Sequence, residues 1–232
     1  MPARTASAAS HHQLVVEEFC ALIQALHEDG IEAIQARLYE RLEVSRSTVS
    51  ETVALLQDDG YLAVGTPLQL TERGLAIAER TIRRRRLAEC FLQRALGLSL
   101  AGCRDGAERW QYHMTDEIEA AMIRTLDHPA TSPQGNPIPY EPRADPDDTH
   151  DATTIALARV APGQAFTVVR IREELESTQG MLQYLDDAGL RPGVDAVIVA
   201  MSPDGTATIE TGNERAGLGP SITNSLMVRR RD

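Results

Sequence analysis

The chain has 232 residues, 42% hydrophobic and 25% charged, which supports one large domain or two or three small ones with cores of their own. A formal net charge of −11 excludes broad, non-specific affinity for nucleic acid, because an evenly acidic surface repels phosphate, but it leaves local binding open. Three scattered cysteines (Cys20, Cys90, Cys103) exclude a disulfide framework, and no run is apolar enough to span a bilayer or act as a signal peptide, so a soluble cytoplasmic protein without a membrane partner is expected.

From Gln13 to Glu28 the apolar positions Leu14, Val15, Phe19, Leu22, Ile23 and Leu26 recur at helical spacing, and Gly30 supplies a stop. A short helix from Ile34 to Leu42 follows. In "EVSRSTVSETVALLQDDGYLAV", Ser45 or Ser47 can cap a third helix that buries Val49, Val53 and Leu56 and ends at "DDG". The next stretch, "YLAVGTPLQLTERG", alternates like two short strands joined at Gly65, Thr66 and Pro67. Three helices and then a hairpin is the order of a winged helix-turn-helix, in which the third helix enters the major groove. The short or polar side chains of Ser45, Arg46, Ser47, Thr48, Ser50, Glu51 and Thr52 stand where phosphates and base edges would be met.

Two longer helices are expected next, over residues 72–96 and 106–125. The second carries Ala107, Trp110, Met114, Ile118, Ala121 and Met122, spaced mostly by three and four, which predicts an inward-facing row of Trp110, Met114 and Ile118. The first contains "RTIRRRR", five arginines in seven positions, and on sequence alone this reads as a solvated helix face. Residues 141–152, "EPRADPDDTHDA", are rich in Pro and Asp and read as a linker; "DPDDTHD" within them is a weak cation chelator at most. Beyond the linker, β-branched alternation broken by Gly and Pro predicts a small β-sheet or barrel with one short helix in "STQGMLQYLDDAGLRPG". The chain therefore divides into a winged helix-turn-helix at 1–72, a helical unit at 73–140, the linker, and a small β domain at 153–232: mainly α with a small β part.

The segments "TVSETVALLQDDGYL", "LTERGLAIA", "RRLAECFL", "RALGL" and above all "LDHPATSPQGNPIP" resemble the diphtheria toxin repressor family of metal-responsive transcriptional regulators, over about residues 14 to 139 and in the right order. The resemblance implies a homodimer formed by the middle domain, binding to a palindromic double-stranded DNA operator, an SH3-like β-barrel as the third domain, and activation by Fe(II) or Mn(II). It implies a primary metal site that takes one ligand from the first helix and three from a middle-domain helix at i, i+3 and i+4. Carried onto this chain, those positions are Glu18, Glu108, Gln111 and Tyr112. Glu18 and Glu108 are sound oxygen ligands, Gln111 is a weak neutral one, and Tyr112 keeps its proton near neutrality. His113 is a substitute ligand only if the helix slips by one residue or bulges, so the register there is left open.

The family's second metal site carries over onto Arg85, Glu89 and Arg104, with Glu176 and Gln179 as the nearest third-domain candidates. Arginine does not ligate metals. Two readings stand: Arg85 or Arg104 bridges Glu89 and Glu176 with fixed positive charge, or both arginines belong to a solvated basic face. An enzyme using Glu108, His113 or Asp116 as acid–base groups is not expected, since no nucleophile elbow, phosphate loop or catalytic metal signature is present. The expectation is a DNA-binding repressor with Fe(II) or Mn(II) dependence, or a divergent regulator of the same fold that is metal-independent or answers to another ligand.

Overall fold

The computed structural model describes residues 3–140, 153–212 and 214–231, with side chains from residue 11 onward. The expected linker and its "DPDDTHD" lie outside the described residues. The first unit is built from α1 (Ala3–Glu28), α2 (Gln35–Leu42) and α3 (Arg46–Asp58). The periodic residues of α1 lock onto the other two: Phe19, Ile23 and Leu26 share one buried cluster with Leu38, Val49, Val53 and Leu56. Ser45 is the cap of α3, its side chain accepting from the Thr48 N–H at 3.1 Å. The expected hairpin is short: a single bridge between Leu62 and Leu70 is flanked by bonds from Ala63 N–H to the Gln69 carbonyl and from Thr71 N–H to the Tyr61 carbonyl, and Leu68 N–H donates to the Ala33 carbonyl. Val64 stands exposed at its tip.

The middle unit consists of α4 (Glu72–Leu96), α5 (Leu100–Trp110) and α6 (Asp116–Thr125). Gly74 is required where α4 begins, since a Cβ there would lie 2.1 Å from the Tyr61 carbonyl oxygen. The helix expected over 106–125 is in fact two. Gln111 closes α5, and Thr115 opens α6 by accepting from the Ile118 N–H at 3.3 Å. Thr115 followed by Asp116, Glu117 and Glu119 is the signature of a helix start, with acid charge at the positive end of the dipole. The break also corrects the expected inward row. Met114 is buried, whereas Trp110 and Ile118 are 40% and 46% exposed and border a groove with His113 and Met122.

The third unit is a six-stranded antiparallel sheet in the order β1-β6-β2-β3-β4-β5, formed by β1 (Thr154–Ala156), β2 (Ala165–Ile171), β3 (Asp195–Met201), β4 (Ala207–Thr211), β5 (Glu214–Leu218) and β6 (Leu226–Arg230). It is SH3-like without closing into a barrel, since β1 and β5 remain at opposite edges. Three short helices accompany it: α7 (Glu173–Glu176), α8 (Met181–Asp187), which is the expected one, and α9 (Pro220–Ser225). Its core, Phe166, Val168, Ile198, Ile209 and Val228 among others, also takes in Leu100 of α5, whose N–H donates to Asp186 at 2.7 Å. The third unit is thus docked on the middle one. No helix of the described residues is long and apolar enough to cross a membrane.

Candidate effector site and the ionic joint beside it

Four buried arginines and five buried carboxylates meet where the three units touch. Arg86 in α4, 1% exposed, donates to Glu28 at 2.6 Å and to Glu173 at 2.8 Å, so one guanidinium ties α1 to α7. Arg85 donates to Glu173 as well. Arg104 in α5 donates to Glu176 at 2.7 Å and reaches Glu173 at 3.5 Å. Arg170 in β2 pairs with Asp29 at the end of α1, whose other oxygen accepts from the Glu174 N–H at 3.0 Å.

The "HPATSPQGNPIP" segment completes the joint. Asn136 donates to the Ile171 carbonyl at 2.9 Å and to Glu176, and accepts from Arg170. The turn that presents Asn136 needs Gly135, because its φ is +84° and a Cβ would run into the Val169 carbonyl.

The electrostatics follow from burial and count. Burial alone would raise Glu173, but Arg85, Arg86 and Arg104 together hold it well below the usual carboxylate range. Burial dominates at Glu176 and, despite Arg104, pushes its carboxyl up to about 8; Glu89 is raised too, with Arg85 and Arg104 no closer than 3.9 Å. Glu28, Asp29, Glu89, Glu173 and Glu176 outnumber Arg85, Arg86, Arg104 and Arg170 by one, so the cluster holds one proton more readily than it holds a fifth full negative charge.

The joint resolves most of the second set of expected residues. Arg104 bridges to Glu176, as one reading had it, while Arg85 goes to Glu173, a residue that spacing did not single out. Gln179 is exposed and takes no part. The "RTIRRRR" run is no solvated face: Arg80 pairs with Glu17, Arg83 and Arg84 with Glu119, and the last two enter the joint. A run of arginines on a long helix conceals this, because the partners come from α1, α6 and α7.

Next to the joint a cavity of about 510 Å³ opens between α1, the end of α2, α4, α5 and α7. The first set of expected residues meets here: Glu18, Glu108, Gln111 and Tyr112 all line it. Glu108 already accepts from Arg104 Nε at 3.0 Å, and burial together with Glu108 raises Glu18. Burial pushes Tyr112 up to about 12, so its phenol is neutral. Gln111 is 6% exposed; its amide N–H donates to the Glu108 carbonyl at 3.3 Å and its Oε1 has no hydrogen-bond partner. His113 falls in the turn after α5 and lines the separate groove with Trp110, which answers the question of register.

The prospective DNA face is coherent. Ser45, Arg46, Ser47, Thr48, Ser50 and Glu51 are exposed on one side of α3, with Thr52 half-buried and Val49 and Val53 turned inward. Arg46 is held across Tyr39, 4.8 Å from the ring centre, and donates to its hydroxyl at 3.1 Å.

Residues 71–140 match the family model described as "Iron dependent repressor, metal binding and dimerisation domain", and residues 155–230 match the FeoA domain. The iron-dependent repressor IdeR of Mycobacterium tuberculosis is 33% identical over 227 residues, covering 92% of this chain and 96% of that one. The diphtheria toxin repressor of Corynebacterium diphtheriae is 31% identical over 217 residues, covering 91% and 95%. A solved manganese-dependent transcriptional repressor in complex with manganese shares the fold, with a TM-score of 0.77 at 24% identity over 93% of this chain and all of that one. With this identity over nearly the whole length of both relatives, the chain belongs to the diphtheria toxin repressor family of transcriptional regulators.

Proposed function

We propose that the protein is a homodimeric repressor that binds a palindromic operator through α3 and does so without a divalent metal. The observation that carries this reading is the arginine–glutamate joint. At two positions where the family resemblance implies metal ligands, Arg85 and Arg104 pair with third-unit carboxylates, so fixed cations supply the charge that would otherwise come from an ion.

The primary position does not fit Fe(II) or Mn(II) either. Its donors are two carboxylates, one of them engaged by Arg104, a neutral amide and a protonated phenol. Among the described residues no group of three or more His, Cys, Asp or Glu side chains could hold a metal ion. His113, the alternative ligand, faces elsewhere.

On the DNA, Ser45, Arg46, Ser47 and Thr48 position the protein on phosphates, and Glu51 reads a base by accepting from a cytosine amino group. The exposed groove of Trp110, Ile118 and Met122 is the dimer seam, which supports the family's two-fold assembly. The test is operator binding in chelator and after addition of Mn(II), Fe(II) or Zn(II), with sedimentation in the same buffers. A dimer whose operator affinity is the same within about twofold in every buffer is expected. Loss of binding in chelator and recovery with one metal would return the protein to metal control through Glu18, Glu108 and Gln111.

A further inference from the structure

The cavity beside the joint has features that a regulator held together by fixed charges does not need. Four glutamates and four arginines line it, so its formal charges cancel, which disfavours both a bare cation and a bare anion as its occupant. On the α1 and α5 side it presents the carboxylates of Glu18 and Glu108, and the side chain of Gln111 forms part of the wall. Arg41 and Arg109 supply donors, and neither is in an ion pair among the described residues; Arg41 makes only a long contact, 3.5 Å, to the Glu173 carbonyl. Ala21, Leu22, Ala25 and Leu42 add an apolar part to its wall.

We propose that this cavity binds a free α-amino acid with an apolar side chain. An ammonium group has N–H donors for Glu18 and Glu108, a carboxylate has four lone pairs for Arg41 and Arg109, and the side chain takes the apolar part of the wall. The volume lies within the range of small-molecule pockets. Because the walls belong to all three units, the bound amino acid fixes the winged helix relative to the other two and so alters operator affinity. This rests on the metal-independent reading of the same cavity.

The experiment is calorimetry on the full-length protein in chelator, with each of the twenty amino acids titrated singly. One or more apolar amino acids should bind once per protomer, and the corresponding amine without the carboxylate and acid without the ammonium should bind at least about tenfold more weakly. Glu18→Gln should weaken binding by about tenfold or more, and because Glu18 is exposed the substitution leaves the core untouched. No saturable binding by any of the twenty, equal binding of either truncated analogue, or unchanged affinity in Glu18→Gln would overturn the proposal. Operator binding in the same chelator buffer is read separately. If it persists while no amino acid binds, only this inference falls; if it is lost and only a metal restores it, the metal-independent reading falls.

Discussion

At the scale of single residues, the most consequential group is Glu176. Its carboxyl is raised from the ordinary value of 4.5 to about 8 by burial against Arg104's pull, with Glu89 and Glu173 close by. A raised acid binds its proton more tightly folded than unfolded, so its contribution to stability is complete below about pH 4.5 and is lost as pH rises towards 8. Glu176→Gln imitates the protonated form. The variant should unfold at nearly the wild-type temperature at pH 5 and should show a shallower decline in melting temperature than the wild type between about pH 5 and 8, the remainder belonging to Asp29 and Glu89, as scanning calorimetry would read. A wild-type profile in that window no steeper than the variant's would show that Glu176 is ionised and that the extra proton resides elsewhere. Residues such as Glu173 and Asn136 were illegible before folding, since they matter only through partners roughly 35 to 90 positions away in the chain.

At the scale of elements, α3 was legible almost completely. Its cap, its buried face of Val49, Val53 and Leu56 and its exposed polar face follow from a 3.6-residue period and one serine. That clarity makes Glu51 a clean probe. Exchanging Glu51→Gln replaces an acceptor-only group with one that can both donate and accept, which favours adenine over cytosine. Selection from a randomised operator library should show a changed base preference at one symmetric position, with discrimination shifting by about 1–3 kcal/mol; an unchanged preference would remove Glu51 from base reading.

The segment between α5 and α6 was less legible. The apolar repeat of Trp110, Met114 and Ile118 runs through the break, and a continuous helix satisfied it equally well. The helix-start signature at Thr115 was the competing signal, and it prevailed because a cap and three first-turn acids act locally. The wing is the expected hairpin at its shortest: one bridge with a backbone bond on either side, fastened to the first unit by the bond from Leu68 to Ala33.

For the whole molecule, the joint decides whether three units move as one. Arg85→Glu sets a carboxylate against Glu173 and leaves a buried charge unpaired, a change that typically costs about 3–5 kcal/mol. The variant should show a larger radius of gyration by small-angle scattering and a melting temperature lower by several degrees, while the first unit's helices persist. If radius and melting temperature stay at wild-type values, the joint does not hold the third unit in place.

The arginines of the joint have a consequence for dose and response. A metal ion bridging the units would leave at a finite rate and return according to its concentration outside, so occupancy would follow a saturation curve. A guanidinium attached to α4 or α5 cannot diffuse away, and dilution does not reduce its local concentration. Docking of the third unit is then zero order in every external metal ion. Under the proposed metal-independent reading, what remains subject to mass action is the meeting of two protomers and whatever enters the cavity, which would place the repressor's threshold under its own abundance and that solute.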